Sequence, residues 1–394
     1  MKSKENASES AKDRTSDRSS PGTQMGQGEQ PKPRDMPRDL EQSTESAEPN
    51  VSIRKRDLKV AGDLAQQLVG ELEEVYNGDI VGQVITTAMK LLRDDTNRGD
   101  LKLISQSLRE LRYAMKIFAP YRDFHKVSIF GSARTQPENG NYQSAMEYGK
   151  RLEQAGWMVI TGAGGGIMEA GHGGAGAKGS FGLNISLPFE QSANEFIHGD
   201  HKLIDFKYFF TRKLMFVRSS HAIACFPGGF GTMDEAFEVL TLIQTGKCPP
   251  MPMVFVNQPG GDYWQAWDTY VKDHLLADGL ISPDDTALYR VTDNLEEAVE
   301  ETTSFYRNYH SLRYTRDLIV LRMQEELTDK QVDEIREKFG DICVDNDRWR
   351  HGGPLKVERN ESKLRHLHRL VFPFNRRDHG RLRMLIDHLN GLVK

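Results

Sequence analysis

The chain has 394 residues, a formal net charge of −5 and 38% hydrophobic residues, enough for two or three domains with a sizeable core. So small a charge gives the chain as a whole no electrostatic case for nucleic acid or for an anionic membrane. Cys225, Cys248 and Cys343 are too few and too widely spaced for a disulfide framework or a zinc site; the N-terminal residues lack the apolar core of a secretory signal, and no run approaches the roughly 18 apolar residues of a transmembrane helix. A cytoplasmic protein is expected.

Residues 1–52 are rich in Ser, Glu, Lys, Arg, Pro and Gln with almost no large apolar residues, the composition of a disordered tail. Residues 53–120 read as an N-terminal helical segment. Two helices, near 58–76 and 79–93, precede a longer one in which Leu101, Ile104, Leu108, Leu111, Met115 and Phe118 recur three and four apart. That spacing puts one apolar stripe on a helix, suited to packing on the next domain or, as the other reading, to a dimer contact.

From 121 to 310 short β-rich runs alternate with helical ones. KVSIFGSA (126–133), WMVITGA (157–163), FGLNISL (181–187), HAIACFPGG (221–229) and MPMVFVN (251–257) read as strands, with amphipathic stretches such as 142–155 and 232–245 between them. This alternation predicts right-handed βαβ units, hence a Rossmann-like α/β domain with a parallel sheet and flanking helices. Ligands of such sheets lie beyond the carboxyl ends of the strands, where the glycine clusters fall here. The remainder, 311–394, reads as a small α+β domain: a strand at 317–323, a helix at 328–339, a strand at 367–374 and a helix at 379–391.

The first glycine cluster, TGAGGGIMEAGHGGA at 161–175, offers Gly164, Gly165 and Gly166 as a turn whose amides can approach an anion at a helix start. It is not a dinucleotide fingerprint, because a GxGxxG frame opened at Gly162 meets Ile167 and one opened at Gly164 meets Glu169. Nor is it a P-loop, since no Gly-Lys-Ser/Thr follows. The second cluster, PGGFGTMDE at 227–235, joins a tight turn to a helix start. Amides from Gly229 to Thr232 can hold phosphate while Glu235 reaches the sugar. Thr232 and Glu235 taken alone also fit a capping box. In FFTRKLMFVRSS, at 209–220, Arg212 is a candidate for bidentate contact with phosphate or ribose hydroxyls, and a solvated basic face is the plainer alternative. Ser132, directly after the first strand, can donate to a ligand or simply close a turn.

FGSAR, TGAGGGIMEA and above all Arg212-Lys213 followed by PGGFGTMDE resemble the Lonely Guy (LOG) family, once labelled lysine decarboxylases and similar to phosphoribohydrolases acting on AMP and on cytokinin nucleotides. The resemblance covers about 125–305. It implies Arg212 and Glu235 as the catalytic pair, with Gly228, Gly229, Gly231 and Thr232 gripping the 5′-phosphate. Where the family often has Glu-Glu this chain has Asp234-Glu235, which leaves the second acid in place. It also implies a homodimer. Lys213 is read as a phosphate or structural contact, because no lysine here has the surroundings of a pyridoxal phosphate Schiff base.

No cofactor is expected, and no metal, because the histidines lie singly or as His366-x-His368 without HExxH spacing. His172 reads as a loop residue. The competing function is a non-catalytic nucleotide or molybdenum-cofactor carrier on a similar fold. In the C-terminal unit, residues 355–394 carry ten Lys/Arg against four Asp/Glu, with Phe372 and Phe374 among them. A solvated basic face over an apolar strand, a nucleotide effector site and RNA binding all fit that pattern, the last least readily.

Overall fold

The computed structural model describes residues 55–393 except 73, 187–191, 346 and 347; the tail expected at 1–52 lies outside them. The described residues up to Thr96 form one compact unit, and those from Asn97 a second. Helices α1 (Lys55–Leu72) and α2 (Gly78–Arg93) make up the first. They meet closely at Gly82, where an added Cβ would lie 2.9 Å from Val69.

The second unit opens with α3 (Arg98–Phe118), whose N-cap Asn97 accepts a hydrogen bond from the Asp100 amide at 3.0 Å. The expected strands follow as β1 (Lys126–Phe130), β2 (Met158–Thr161), β3 (Ser180–Ile185), β5 (Ala222–Cys225) and β6 (Met253–Val256). Two more, β4 (Leu203–Phe206) and β7 (Arg290–Thr292), form the edges. Being part exposed, they lack the uninterrupted apolar run that marks the five strands between them. All seven are parallel, in the order β4-β3-β2-β1-β5-β6-β7.

The covering helices are α4 (Gly140–Gln154), α5 (Ile167–Ala175), α6 (Phe209–Ser219), α7 (Phe230–Gln244), α8 (Tyr263–Tyr270) and α9 (Leu295–Ser304). A sheet covered on both faces needs apolar residues at every strand position. Accordingly Val127, Ile129, Ala222, Ala224, Val254 and Val256 enter one core, while Ile223, Cys225, Met253 and Phe255 enter the other. From β1 the chain builds outward through β2, β3 and β4, then crosses to the other side of β1 for β5. Loops leaving the carboxyl ends of β1 and β5 therefore diverge and open a crevice.

The C-terminal part is β8 (Tyr309–Tyr314), β9 (Ile319–Met323), α10 (Asp329–Phe339), β10 (Arg350–Gly352), β11 (His368–Phe372) and α11 (His379–Gly391). Its strands form an antiparallel sheet in the order β10-β11-β9-β8. Phe372 and Phe374 are buried in its core, so they offer no stacking surface to RNA. Nor is its basic patch wholly solvated: Arg369 and Arg383 are buried, paired with Glu358 and with Glu301 and Asp387. Among the described residues no helix is long and apolar enough to cross a membrane.

Candidate functional site

The crevice between β1 and β5 is a cleft of about 730 Å³. Its lining includes Ser132 from the loop after β1, Gly162 after β2, Arg212 from α6, Tyr263 from α8, and the run from Gly228 to Glu235 after β5. Of the residues singled out in the sequence, Ser132, Arg212, Gly228, Gly229, Gly231, Thr232 and Glu235 converge here. Gly164, Gly165, Gly166 and Lys213 do not.

The second glycine cluster starts a helix earlier than a capping box would allow. Helix α7 begins at Phe230 with Gly229 as N-cap, so Thr232 lies inside the first turn and Glu235 in the second. The amides of Thr232 and Met233 both reach the Gly229 carbonyl, at 3.0 and 3.2 Å. Those of Phe230 and Gly231 have no backbone acceptor among the described residues and, with the helix dipole, are open to an anion. The turn has no room for a side chain at Gly228, where a Cβ would meet Thr232 Oγ1 at 2.2 Å and the Ser132 amide at 3.0 Å.

Gly166 serves packing. It has φ +63°, and a Cβ there would lie 2.3 Å from the Ser132 carbonyl oxygen. The Ile167 amide that could have met an anion instead donates to that same carbonyl at 3.0 Å. Gly164 is buried, its carbonyl accepting from Asn194 Nδ2 at 2.9 Å. His172 is no loop residue: it lies on α5, fully buried, within hydrogen-bond distance of Thr161 Oγ1, the Phe181 carbonyl and Asn194. Burial lowers its pKa, so the neutral ring acts as a strut under the turn. Gly166→Ala should cost at least ~1–2 kcal/mol from the left-handed backbone alone, and more from the backbone clash. Chemical denaturation would measure it, and wild-type stability would refute this account of the turn.

Arg212 is held from two sides. Its Nε donates to the Leu183 carbonyl at 2.8 Å, and its guanidinium lies 5.2 Å from the Phe216 ring centre. Burial lowers its pKa while Glu235 raises it; a guanidinium stays charged regardless. Gly162 makes room for it, since a Cβ there would stand 2.4 Å from Nη2. Glu110, buried on α3, accepts from the Lys207 amide at 3.0 Å and Thr211 Oγ1 at 2.6 Å, fixing the start of α6. Sequence reasoning missed Gly162, Glu110 and Tyr263. Gly162 stood in a recognised cluster, but nothing in one helix's pattern tells which acid will meet another helix's end.

Glu235 is 8% exposed. Burial pushes its carboxyl up to about 7, Lys213 and Arg212 pull it down, and Glu238 and Asp234 add to the rise. Its Oε2 has no hydrogen-bond partner among the described residues. Lys213 turns away from the cleft. Its Nζ lies 2.7 Å from Glu238, 2.9 Å from Asp234 and 3.6 Å from Glu235. Burial lowers its pKa, but the contacts with Glu238, Asp234 and Glu235 outweigh that and raise it. The cleft thus combines a helix end with open amides, a fixed cation and a carboxyl poised to exchange a proton near neutrality.

Residues 166–302 match the protein family described as possible lysine decarboxylase. A probable cytokinin riboside 5′-monophosphate phosphoribohydrolase of Oryza sativa subsp. japonica is 26% identical over 165 residues, 41% of this chain. The chain spans 64% of that relative's length. Among solved structures, the molybdenum cofactor binding protein of Rippkaea orientalis is 16% identical with a TM-score of 0.33, over 45% of this chain and 94% of that one. The molybdenum cofactor carrier protein of Chlamydomonas reinhardtii is 19% identical with a TM-score of 0.32, over 45% and 94%. DNA processing protein A of Helicobacter pylori is 16% identical with a TM-score of 0.31, over 46% and 81%.

Proposed function

We propose that the α/β domain of this chain, similar over residues 166–302 to the possible lysine decarboxylase family and at 26% identity to a probable cytokinin riboside 5′-monophosphate phosphoribohydrolase, is a Lonely Guy-type hydrolase that cleaves the N-glycosidic bond of a nucleoside 5′-monophosphate, AMP or a cytokinin riboside monophosphate. The observation that carries the reading is Glu235: a buried carboxyl raised to about 7, in one cleft with Arg212 and the open amides of α7. Phosphate sits at the amides of Phe230 and Gly231, and Arg212 clamps the phosphoribosyl group so that binding there orients C1′. As the C1′–N bond breaks, its electron pair leaves with the base and positive charge grows on the ribose. The Glu235 carboxylate stabilises that charge and takes a proton from the water whose oxygen bonds to C1′. The proton passes to the departing base, leaving free base and ribose 5-phosphate. Lys213 steadies the acids of α7 and does not contact substrate.

The test is release of base and ribose 5-phosphate from a panel of nucleoside 5′-monophosphates and from the same nucleosides without phosphate. Turnover should require the 5′-phosphate, and Arg212→Ala should lower kcat/KM by about a hundredfold or more, the effect of losing one charge-stabilising donor. Tight nucleotide binding without turnover would overturn the hydrolase reading in favour of a carrier.

A further inference from the structure

A second cavity, of about 1100 Å³, lies at the amino-terminal end of the parallel sheet, opposite the catalytic crevice. His125 and His221, which precede β1 and β5, form part of its wall, and β8 with the segment from Lys363 to His366 closes it from the C-terminal side. Five Lys/Arg line it against two acids. Both acids are already engaged, Asp123 with Lys363 at 3.5 Å and Glu238 with Lys213 at 2.7 Å. Arg122, Arg218 and Lys247 are exposed and, among the described residues, have no carboxylate partner. Phe124, Leu214, Val217, Met251 and Leu312 supply apolar wall between these cations. The volume suits an organic molecule, three unpaired cations suit phosphate groups, and the apolar wall suits a ring.

We propose that this cavity is a second, non-catalytic site for a phosphorylated small molecule bearing an aromatic or apolar ring, and that its occupant acts on the catalytic cleft through Lys213. The link is a single side chain. Lys213 lines the second cavity, while its Nζ reaches the carboxylate of Glu235, which lines the first. Glu235 faces Lys213 and Arg212 from α6, Asp234 and Glu238 on its own helix, and Cys225 from β5. A phosphate drawing Nζ outward lengthens the weakest of the three lysine contacts, the 3.6 Å approach to Glu235. Glu235 then loses a positive neighbour and holds its proton to higher pH, so the occupant inhibits near neutrality. This coupling rests on the proposed hydrolase reading; the binding does not.

The experiment is calorimetric titration of the full chain with ATP and with pyrophosphate, the catalytic cleft being kept full with ribose 5-phosphate. It is repeated on a double charge reversal, Arg218→Glu with Lys247→Glu, at exposed positions outside the catalytic cleft. ATP should bind the wild type and bind the variant at least ~10-fold more weakly, with basal turnover unchanged. In the wild type alone, ATP should move the acid limb of the pH–rate profile upward; one unit means tenfold less activity below the limb. ATP binding that survives the charge reversal overturns the site. Pyrophosphate binding as tightly as ATP overturns the ring, and an acid limb unmoved by bound ATP overturns the link through Lys213. Should ATP binding behave as expected while no nucleotide is hydrolysed, the site stands and the hydrolase reading falls with the coupling built on it.

Discussion

Glu235→Gln is expected to lower base release by about 10²–10⁴-fold, the range for losing a positioned proton-transfer group, while nucleotide binding is kept. The amide preserves the shape of the side chain and leaves Arg212 and the amides of Phe230 and Gly231 in place, so the phosphoribosyl grip survives. What goes is the group that charges and discharges near neutral pH. The sign of the pH dependence follows from the role. Catalysis needs the carboxylate, and burial has raised its pKa to about 7, so wild-type kcat should rise with pH through neutrality and level off above it. The residual rate of Glu235→Gln should lack that limb. A wild-type rate that falls through the same interval would mean that the protonated form is the active one and that Glu235 serves as an acid. Equal turnover in both proteins would remove Glu235 from the chemistry.

Glu358→Gln is expected to destabilise the folded chain by about 3–5 kcal/mol, the cost of removing one partner from a buried ion pair. Glu358 is 1% exposed and holds two guanidiniums: Arg322 Nε at 2.8 Å and Arg369 Nε at 3.1 Å. Arg369 is itself 1% exposed. A neutral amide leaves that buried positive charge without its counter-ion. The melting temperature of the full chain should fall by roughly 6 °C or more, at about 2 °C per kcal/mol for a unit of this size. Acid acts in the same direction. Burial works to raise the Glu358 pKa, but the Leu355 amide, Arg369 and Arg322 outweigh it and hold it below the ordinary glutamate value. The stability it contributes is therefore full above the unfolded carboxyl's pKa, near 4.3, and is lost as pH falls through the lower folded value. The variant should lose less stability than the wild type between pH 6 and pH 3. Unfolding curves that coincide at neutral pH would show the network to be dispensable.

Five strands of the parallel sheet are legible in the chain because a strand buried on both faces must be apolar along its whole length, and runs such as MVIT and AIAC have no other use. Edges β4 and β7 escape, being part exposed and so not apolar along their length. Arg212 and Glu235 stand out only through the resemblance to the Lonely Guy family, whereas the Pro-Gly-Gly turn is legible because a helix start with free amides is built on one contiguous stretch of chain, and contiguity is what a sequence records. By the same logic Gly164, Gly165 and Gly166 look like a cradle, yet at Gly166 the turn is spent on the Ser132 carbonyl, an acceptor some thirty residues away in the chain.

The sequence by itself determined the layered α/β architecture, the alternation of strand and helix in the C-terminal part and the helix start after the Pro-Gly-Gly turn, all of which depend on local pattern. Only the tertiary structure decided the rest. Lys213 and Arg212 are adjacent on one helix, and the packing of α6 against β3 and α7 sends one to the cleft and the other to Asp234 and Glu238. The Glu235 carboxyl is raised because several elements together exclude water from it, and no neighbouring letter encodes that desolvation. Arg369 falls in a stretch that reads as a solvated basic face, until β9, β11 and the turn at Glu358 close over it and pair it with Glu358 beside Arg322. Charge, burial and distance are properties of the assembled fold, and chain order constrains them only where the residues involved are close along the backbone.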